Sequence, residues 1–206
     1  MIILSFDCAN KSLAYSLVEI PDGLKIEKKK RNEEAIMNID EIDDYKKIKI
    51  KECDVVNLLG GRKVKDVDSI ERARCLRKYI DKNFGEKLKI YELDDIIILI
   101  EKQPETINIK SCAISDQLLF YFANLKNIAT ISPTLKNKIS FNSELAYNKY
   151  VSKYSNSYLA NKNHAKANLL YFLKKTEQEY VLKDIKKSNY NDLADSFMQI
   201  IAYLTF

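Results

Sequence analysis

The run Asp95-Ile-Ile-Ile-Leu-Ile-Glu101 (DIIILIE, 95–101) decides the fold class. Ile96 to Ile100 are apolar without alternation, so neither side of this strand can face water. A strand buried on both faces belongs in the middle of a parallel or mixed sheet, with helices above and below. Glu101, written directly after the run, falls at the carboxyl end of that strand. The run is far too short to cross a bilayer.

Upstream, IILSFDC (2–8) reads as a β-branched and aromatic strand that closes on an acid, Asp7, and SLAYSLVEI (12–20) as a second strand. Pro21-Asp22-Gly23 is a turn, because proline presets φ and glycine tolerates positive φ. The charged stretch 24–31 is expected to be the third strand of an antiparallel meander, near an edge where lysine is tolerated. Residues 32–65 read as an insertion of uncertain structure, although IKIKE (48–52) alternates like a strand and Gly60-Gly61 marks a turn. From Asp66 the apolar spacing turns helical, through Val67, Ile70, Ala73, Leu76 and Ile80 to an end near Gly85. Downstream of the central run come a helix at about 111–125, a short strand IATIS (128–132) stopped by Pro133, and helices at about 142–153, 161–176 and 191–205. Asn189 or Asn191 is the expected N-cap of the last. The order predicts one domain over residues 1–206: a mixed α/β sheet, an antiparallel three-strand meander plus parallel strands, flanked by helices, with the insertion at about 32–65.

Composition narrows the function. The chain has 206 residues, 46% hydrophobic and 31% charged, enough to bury a core. Its four glycines (Gly23, Gly60, Gly61, Gly85) form neither a phosphate-cradling loop nor a dinucleotide fingerprint, so no nucleotide cofactor is expected. The lone histidine, His164, excludes histidine-rich zinc sites. Scattered Cys8, Cys53, Cys75 and Cys112, with no C-x-x-C pair, read as reduced thiols in an intracellular protein. No signal peptide or membrane span is evident. The net charge of +5 is unevenly spread: residues 126–190 hold twelve lysines against four acids, interleaved with Tyr147, Tyr150, Tyr154 and Tyr158. Such a surface suits a phosphate backbone. The excess of lysine over arginine, 29 to 5, leaves compositional bias as the other source of that charge.

Three acidic positions stand out by placement. If the strands carrying Asp7 and Glu101 are parallel neighbours, both acids emerge at their carboxyl ends, where open α/β sheets place sites. Asp192 and Asp195, three apart, share one face of the last helix beside its packing face of Leu193, Phe197, Ile200, Ile201 and Leu204. Singly, each has an ordinary role open to it: Asp7 capping a turn, Glu101 pairing with Lys102 or Lys11, the two aspartates as helix N-terminal charges. Together, four converging carboxylates repel unless a hard divalent cation such as Mg2+ or Mn2+ sits among them. Two such ions about 3.5–4 Å apart clamp the attacking and leaving oxygens of a phosphodiester.

SFDCANKSLAYSLVE (5–19), LIEKQP (99–104), ISPTLKNK (131–138), NHAKANLLYFLKK (163–175) and NDLADSFMQIIAYL (191–204) resemble the poxvirus-type Holliday junction resolvases, themselves similar to bacterial RuvC. The resemblance spans residues 5 to 204 in order, with no match over 32–90. It implies a ribonuclease-H-like fold and a magnesium-dependent homodimer, with Mn2+ able to substitute, that makes paired nicks in four-way DNA junctions. A viral source would place it in the host cytoplasm, at sites of viral replication. By motif, Asp7, Glu101, Asp192 and Asp195 are the implied metal ligands and catalytic acids. Lys166 is an implied catalytic lysine, and Lys11, Gln103, Lys136, Lys138 and Lys166 are implied DNA contacts. Ala9 stands where the family usually has glycine. His164 reads as a surface residue, one helical step off the Lys166 face. The dimer is expected to use the 111–125 helix, where Leu118, Leu119, Tyr121, Phe122 and Leu125 exceed one packing face, unless both faces are buried within the monomer. Competing readings are a related nuclease acting on flaps, other branched DNA or RNA–DNA hybrids, and a non-catalytic branched nucleic-acid-binding module.

Overall fold

A computed structural model describes residues 1–24, 26, 28–39, 43–103 and 109–206. Five strands form the main sheet: β1 (Ile2–Cys8), β2 (Ser12–Glu19), β3 (Lys49–Asn57), β4 (Ile96–Glu101) and β5 (Ile128–Ile131), in the order β3-β2-β1-β4-β5. β1–β2 and β2–β3 are antiparallel; β1–β4 and β4–β5 are parallel. The central run is thus β4, paired on both sides and buried throughout. Ala35–Ile36 and Ile139–Ser140 form a separate two-stranded parallel ladder.

The third strand of the meander is Lys49–Asn57, not 24–31. Among the described residues of 24–31 there is no strand. That segment instead runs to the end of the last helix, where Lys29 N–H donates to the Thr205 carbonyl at 2.8 Å and Lys28 Nζ to the Tyr203 carbonyl at 3.2 Å. The excursion out of the sheet therefore lies between β2 and β3, and IKIKE opens a sheet strand. Gly23, at φ +74°, closes the expected turn, and Gly60 and Gly61, at +60° and +93°, turn the chain after β3.

Four principal helices cover the sheet: α1 (Ser69–Ile80), α2 (Ile109–Phe122), α3 (Ser157–Lys175) and α4 (Tyr190–Thr205). Asp68 caps α1, accepting from Glu71 N–H at 2.7 Å. Asn189 occupies the N-cap position of α4, with no side-chain cap bond. The period-two alternation of the strands sorts side chains to two cores. Leu4, Phe6, Leu13, Tyr15, Ile98 and Ile100 pack under α1 and α2 against Leu76, Ile80, Ile114, Leu118 and Phe122. Ile3, Val18, Ile97 and Leu99 pack under α3 and α4 against Leu169, Phe172, Leu193, Phe197 and Ile200. Leu118 and Phe122 are thus monomer core, whereas Phe120 of α2 faces outward, 83% exposed. No helix among the described residues is long and apolar enough to cross a membrane.

Alternation also decides where the acids point. Asp7 is two residues beyond Ser5, and Glu101 two beyond Leu99, on the α4 side of the sheet. The parallel register pairs Phe6 with Ile100, so Asp7 and Glu101 come next in line at the two carboxyl ends. The rotation of α4 over this face is set by buried polar bonds as well as by apolar packing. Ser5 Oγ donates to Gln199 Oε1 at 2.9 Å, and the Ser16 and Ser196 hydroxyls meet at 2.7 Å. These pairs turn the start of α4, and with it Asp192 and Asp195, toward the strand ends.

Candidate active site

The four acids line one open cleft of about 400 Å³. Carboxylate oxygens of Asp7, Asp192 and Asp195 lie within 4.8 Å of one another. Glu101 lines the same cleft as this trio, accepting from Gln103 Nε2 at 2.8 Å. Asp195 and Glu101 are buried, Asp7 and Asp192 half-buried.

Two lysines hold the acids together. Lys136, in the single turn Lys136–Lys138 that follows β5, places Nζ 2.7 Å from Glu101 Oε1 and 3.0 Å from Asp195 Oδ1. Lys162, near the start of α3, places Nζ 3.0 Å from Asp192 Oδ1 and also binds Asp195 Oδ2. Burial and the negative charges of Glu101 and Asp195 push the Asp7 carboxyl well above its ordinary range. Burial would raise Glu101 as well, but the Lys136 ammonium, with Lys162 behind it, outweighs burial and holds this carboxyl below its usual value. Burial would lower both lysines, yet the surrounding carboxylates raise them above an ordinary lysine, so both are ammonium ions. The all-oxygen acid set fits a hard divalent cation, which Asp7, Asp192 and Asp195 would hold.

The remaining predicted residues fall in different places. Gln103 lines the cleft, as do Ser111, Asn137, Tyr158 and Asn161. Lys136 is not at the surface: its side chain is 8% exposed, inside the acid cluster. Lys138 donates to the Arg31 carbonyl at 2.6 Å and does not line the cleft. Lys166 is half-buried on α3 and likewise absent from the cleft wall, whereas Lys162, one turn earlier, lines it. Lys11 is exposed beyond the end of β1. Glu101 pairs with Lys136 rather than with Lys102 or Lys11. Ala9 lies on the cleft wall without a left-handed backbone, so no positive φ at this position calls for glycine.

His164 is fully buried, which corrects the surface reading. Its Nε2 bonds the Ser140 hydroxyl and the Asn168 amide, both at 3.1 Å, and Tyr147 and Tyr150 meet its ring edge-on at 5.2 and 5.4 Å. Burial lowers its pKa to about 4. His164 packs α3 against the segment 140–151 and does not line the cleft.

No protein-family model and no curated protein matches the chain. Solved structures do match it in fold. The fowlpox virus resolvase in complex with its substrate Holliday junction DNA superimposes with a TM-score of 0.57 at 14% identity, over 99% of this chain and 97% of that one. Thermus thermophilus RuvC in complex with a Holliday junction substrate gives 0.52 at 10% identity, over 99% and 93%. The mixed sheet and its flanking helices are thus the ribonuclease-H-like fold of the junction resolvases of the poxvirus and RuvC types.

Proposed function

We propose that this protein is a metal-dependent, structure-selective DNA endonuclease that resolves four-way junctions by paired phosphodiester hydrolysis. It works as a homodimer with Mg2+, for which Mn2+ can substitute, inside the cell; for a viral source the site of action is the host cytoplasm. The observation that carries this reading is the convergence of Asp7, Glu101, Asp192 and Asp195 at the carboxyl ends of β1 and β4. Two of the solved structures that share this fold hold junction DNA. A module that only bound phosphate would gain nothing from four carboxylates facing its ligand.

Asp7, Asp192 and Asp195 hold the ion, which when bound supplies Lewis acidity at the scissile phosphate. Glu101 stays ionised beside it because Lys136 compensates its burial. The ammonium groups of Lys136 and Lys162 give the cleft positive charge where charge develops on phosphate oxygens. Gln103, Asn161 and the exposed Tyr158 offer neutral donors and an aromatic face to the sugar–phosphate chain. The test is cleavage of a panel of four-way junction, flap, nicked-duplex and RNA–DNA hybrid substrates with Mg2+. Junctions should be cut in preference to the others, and Glu101→Gln should slow cutting by about a hundredfold or more while junction binding persists. Wild-type rates from Glu101→Gln would overturn the site assignment, and preferred cutting of flaps or hybrids would redirect the substrate.

Dimerisation is assigned to the outer face of α1 and α2. There Phe120, Tyr121, Gln117, Ala73 and Arg77 line an open groove of about 490 Å³ around an exposed phenylalanine ring. A two-fold pair would set two clefts at fixed separation, as opposed nicks in a junction require.

A further inference from the structure

Lys162 and Lys136 both neutralise the acid cluster, but their situations differ. Lys136 bridges Glu101 to Oδ1 of Asp195 and is enclosed, with 8% of its side chain exposed. Lys162 bridges Asp192 to the other oxygen, Oδ2, of Asp195. Its side chain is 17% exposed, and it lines the open cleft beside Asn161 and the exposed Tyr158. Asp192 and Asp195 are two of the three carboxylates whose oxygens lie within 4.8 Å of one another. An ammonium held on these oxygens and a divalent ion held on the same oxygens are like charges competing for one set of acceptors. One must leave, and the flexible four-carbon stem at the cleft mouth is the one that can move.

We propose that Lys162 is a tethered counter-cation that fills the divalent ion's position in the ion-free protein, and that it swings out to contact substrate phosphate when the ion binds. The proposal rests on the metal-dependent reading above. Lys136, enclosed on the far oxygen of Asp195, stays in place in both states. The exchange couples the two ligands. Phosphate that captures the freed ammonium removes the ion's competitor, so DNA tightens ion binding and, by reciprocity, the ion tightens DNA binding.

Two measurements on the full chain test this. Mn2+ is titrated calorimetrically, without DNA, into the wild type, Lys162→Met and Lys162→Arg. Loss of a charge-assisted competitor should tighten binding to Lys162→Met by about tenfold, while Lys162→Arg, which keeps the charge, should not tighten. In parallel, wild-type lysines are acetylated with and without saturating Mg2+ and located by mass spectrometry. Lys162 should be protected without the ion and modified with it, and Lys136 protected in both. Equal or weaker Mn2+ affinity of Lys162→Met, or protection of Lys162 that ignores Mg2+, would overturn the proposal. If Lys162→Met does not fold, the labelling of the wild type decides. Absence of Mn2+ binding to the folded wild type would instead defeat the metal-dependent reading itself, and this proposal with it.

Discussion

His164 is neutral at physiological pH because its burial penalises the imidazolium, whereas in the unfolded chain it titrates near the ordinary histidine value of about 6.5. The unfolded state therefore binds more protons than the folded state between about pH 6.5 and pH 4, and stability falls as pH drops through that window. Above it this residue contributes no pH dependence. The full loss is on the order of 3 kcal/mol. Urea melts at pH 7 and pH 4.5 should show this difference in the wild type and a flatter response in His164→Gln, with the carboxylates common to both proteins cancelling in the comparison. The contrast with the acids shows which residues can be read without coordinates. Asp7 and Glu101 are legible because each ends an apolar run, and Asp192 and Asp195 because their spacing shares a helix face. Lys136 and Lys162 are lysines among many, and their roles depend on how one turn after β5 and one edge of α3 sit over the strand ends. Lys166 and Lys162 are one turn apart, so local periodicity cannot choose between them. Burial of His164 depends on Tyr147, Tyr150 and Ser140 folding back across it, contacts with no local signature.

At the level of elements, β3 is the informative case. It is an edge strand of the sheet, and its ladder with β2 shifts register between Leu17 and Val18. Beside the irregularity the amide of Gln178 stands in for a neighbouring strand: Oε1 accepts from Ile50 N–H and Nε2 donates to the Ile48 carbonyl, each at 2.8 Å. Glu177, in the left-handed conformation at φ 57°, turns the chain from α3 to bring Gln178 there. Gln178→Ala should cost about 1–3 kcal/mol for each backbone group left buried and unpaired, read as a lowered denaturant midpoint. Gln178→Glu should be nearly as damaging, because it keeps an acceptor but loses the donor. The strands β1, β2, β4 and β5 and the four long helices are legible because run length and period announce them. The choice of Lys49–Asn57 over 24–31 as the third strand is not. Both stretches are charged, and what separates them is a partner far along the chain: Gln178 at one edge, the end of α4 at the other.

Across the whole molecule, two surfaces carry the proposed partners. Phe120→Glu places a charge on the α2 face assigned to self-association and should convert a micromolar dimer to monomer in sedimentation. The monomer should nick a junction once, without the paired second cut, and an unchanged dimer would move the interface elsewhere. For DNA, the enclosed Lys136 cannot contribute to the outer surface, whereas Lys11 and Lys102 are exposed beside the two strand-end acids. Neutralising both should flatten the slope of log affinity against log salt by roughly two units, one phosphate contact each. An unchanged slope would put the phosphate track elsewhere. The bond between Ser5 and Gln199, 194 positions apart, bears on when the molecule becomes active. α4 is synthesised after every other described element, so Asp192 and Asp195 are the last of the four acids to be made. The acid set is complete only once α4 has docked on β1, a contact of long sequence separation. A nascent or half-folded chain therefore has no ion site, and the proposed cutting activity is withheld from any DNA it meets until α4 docks.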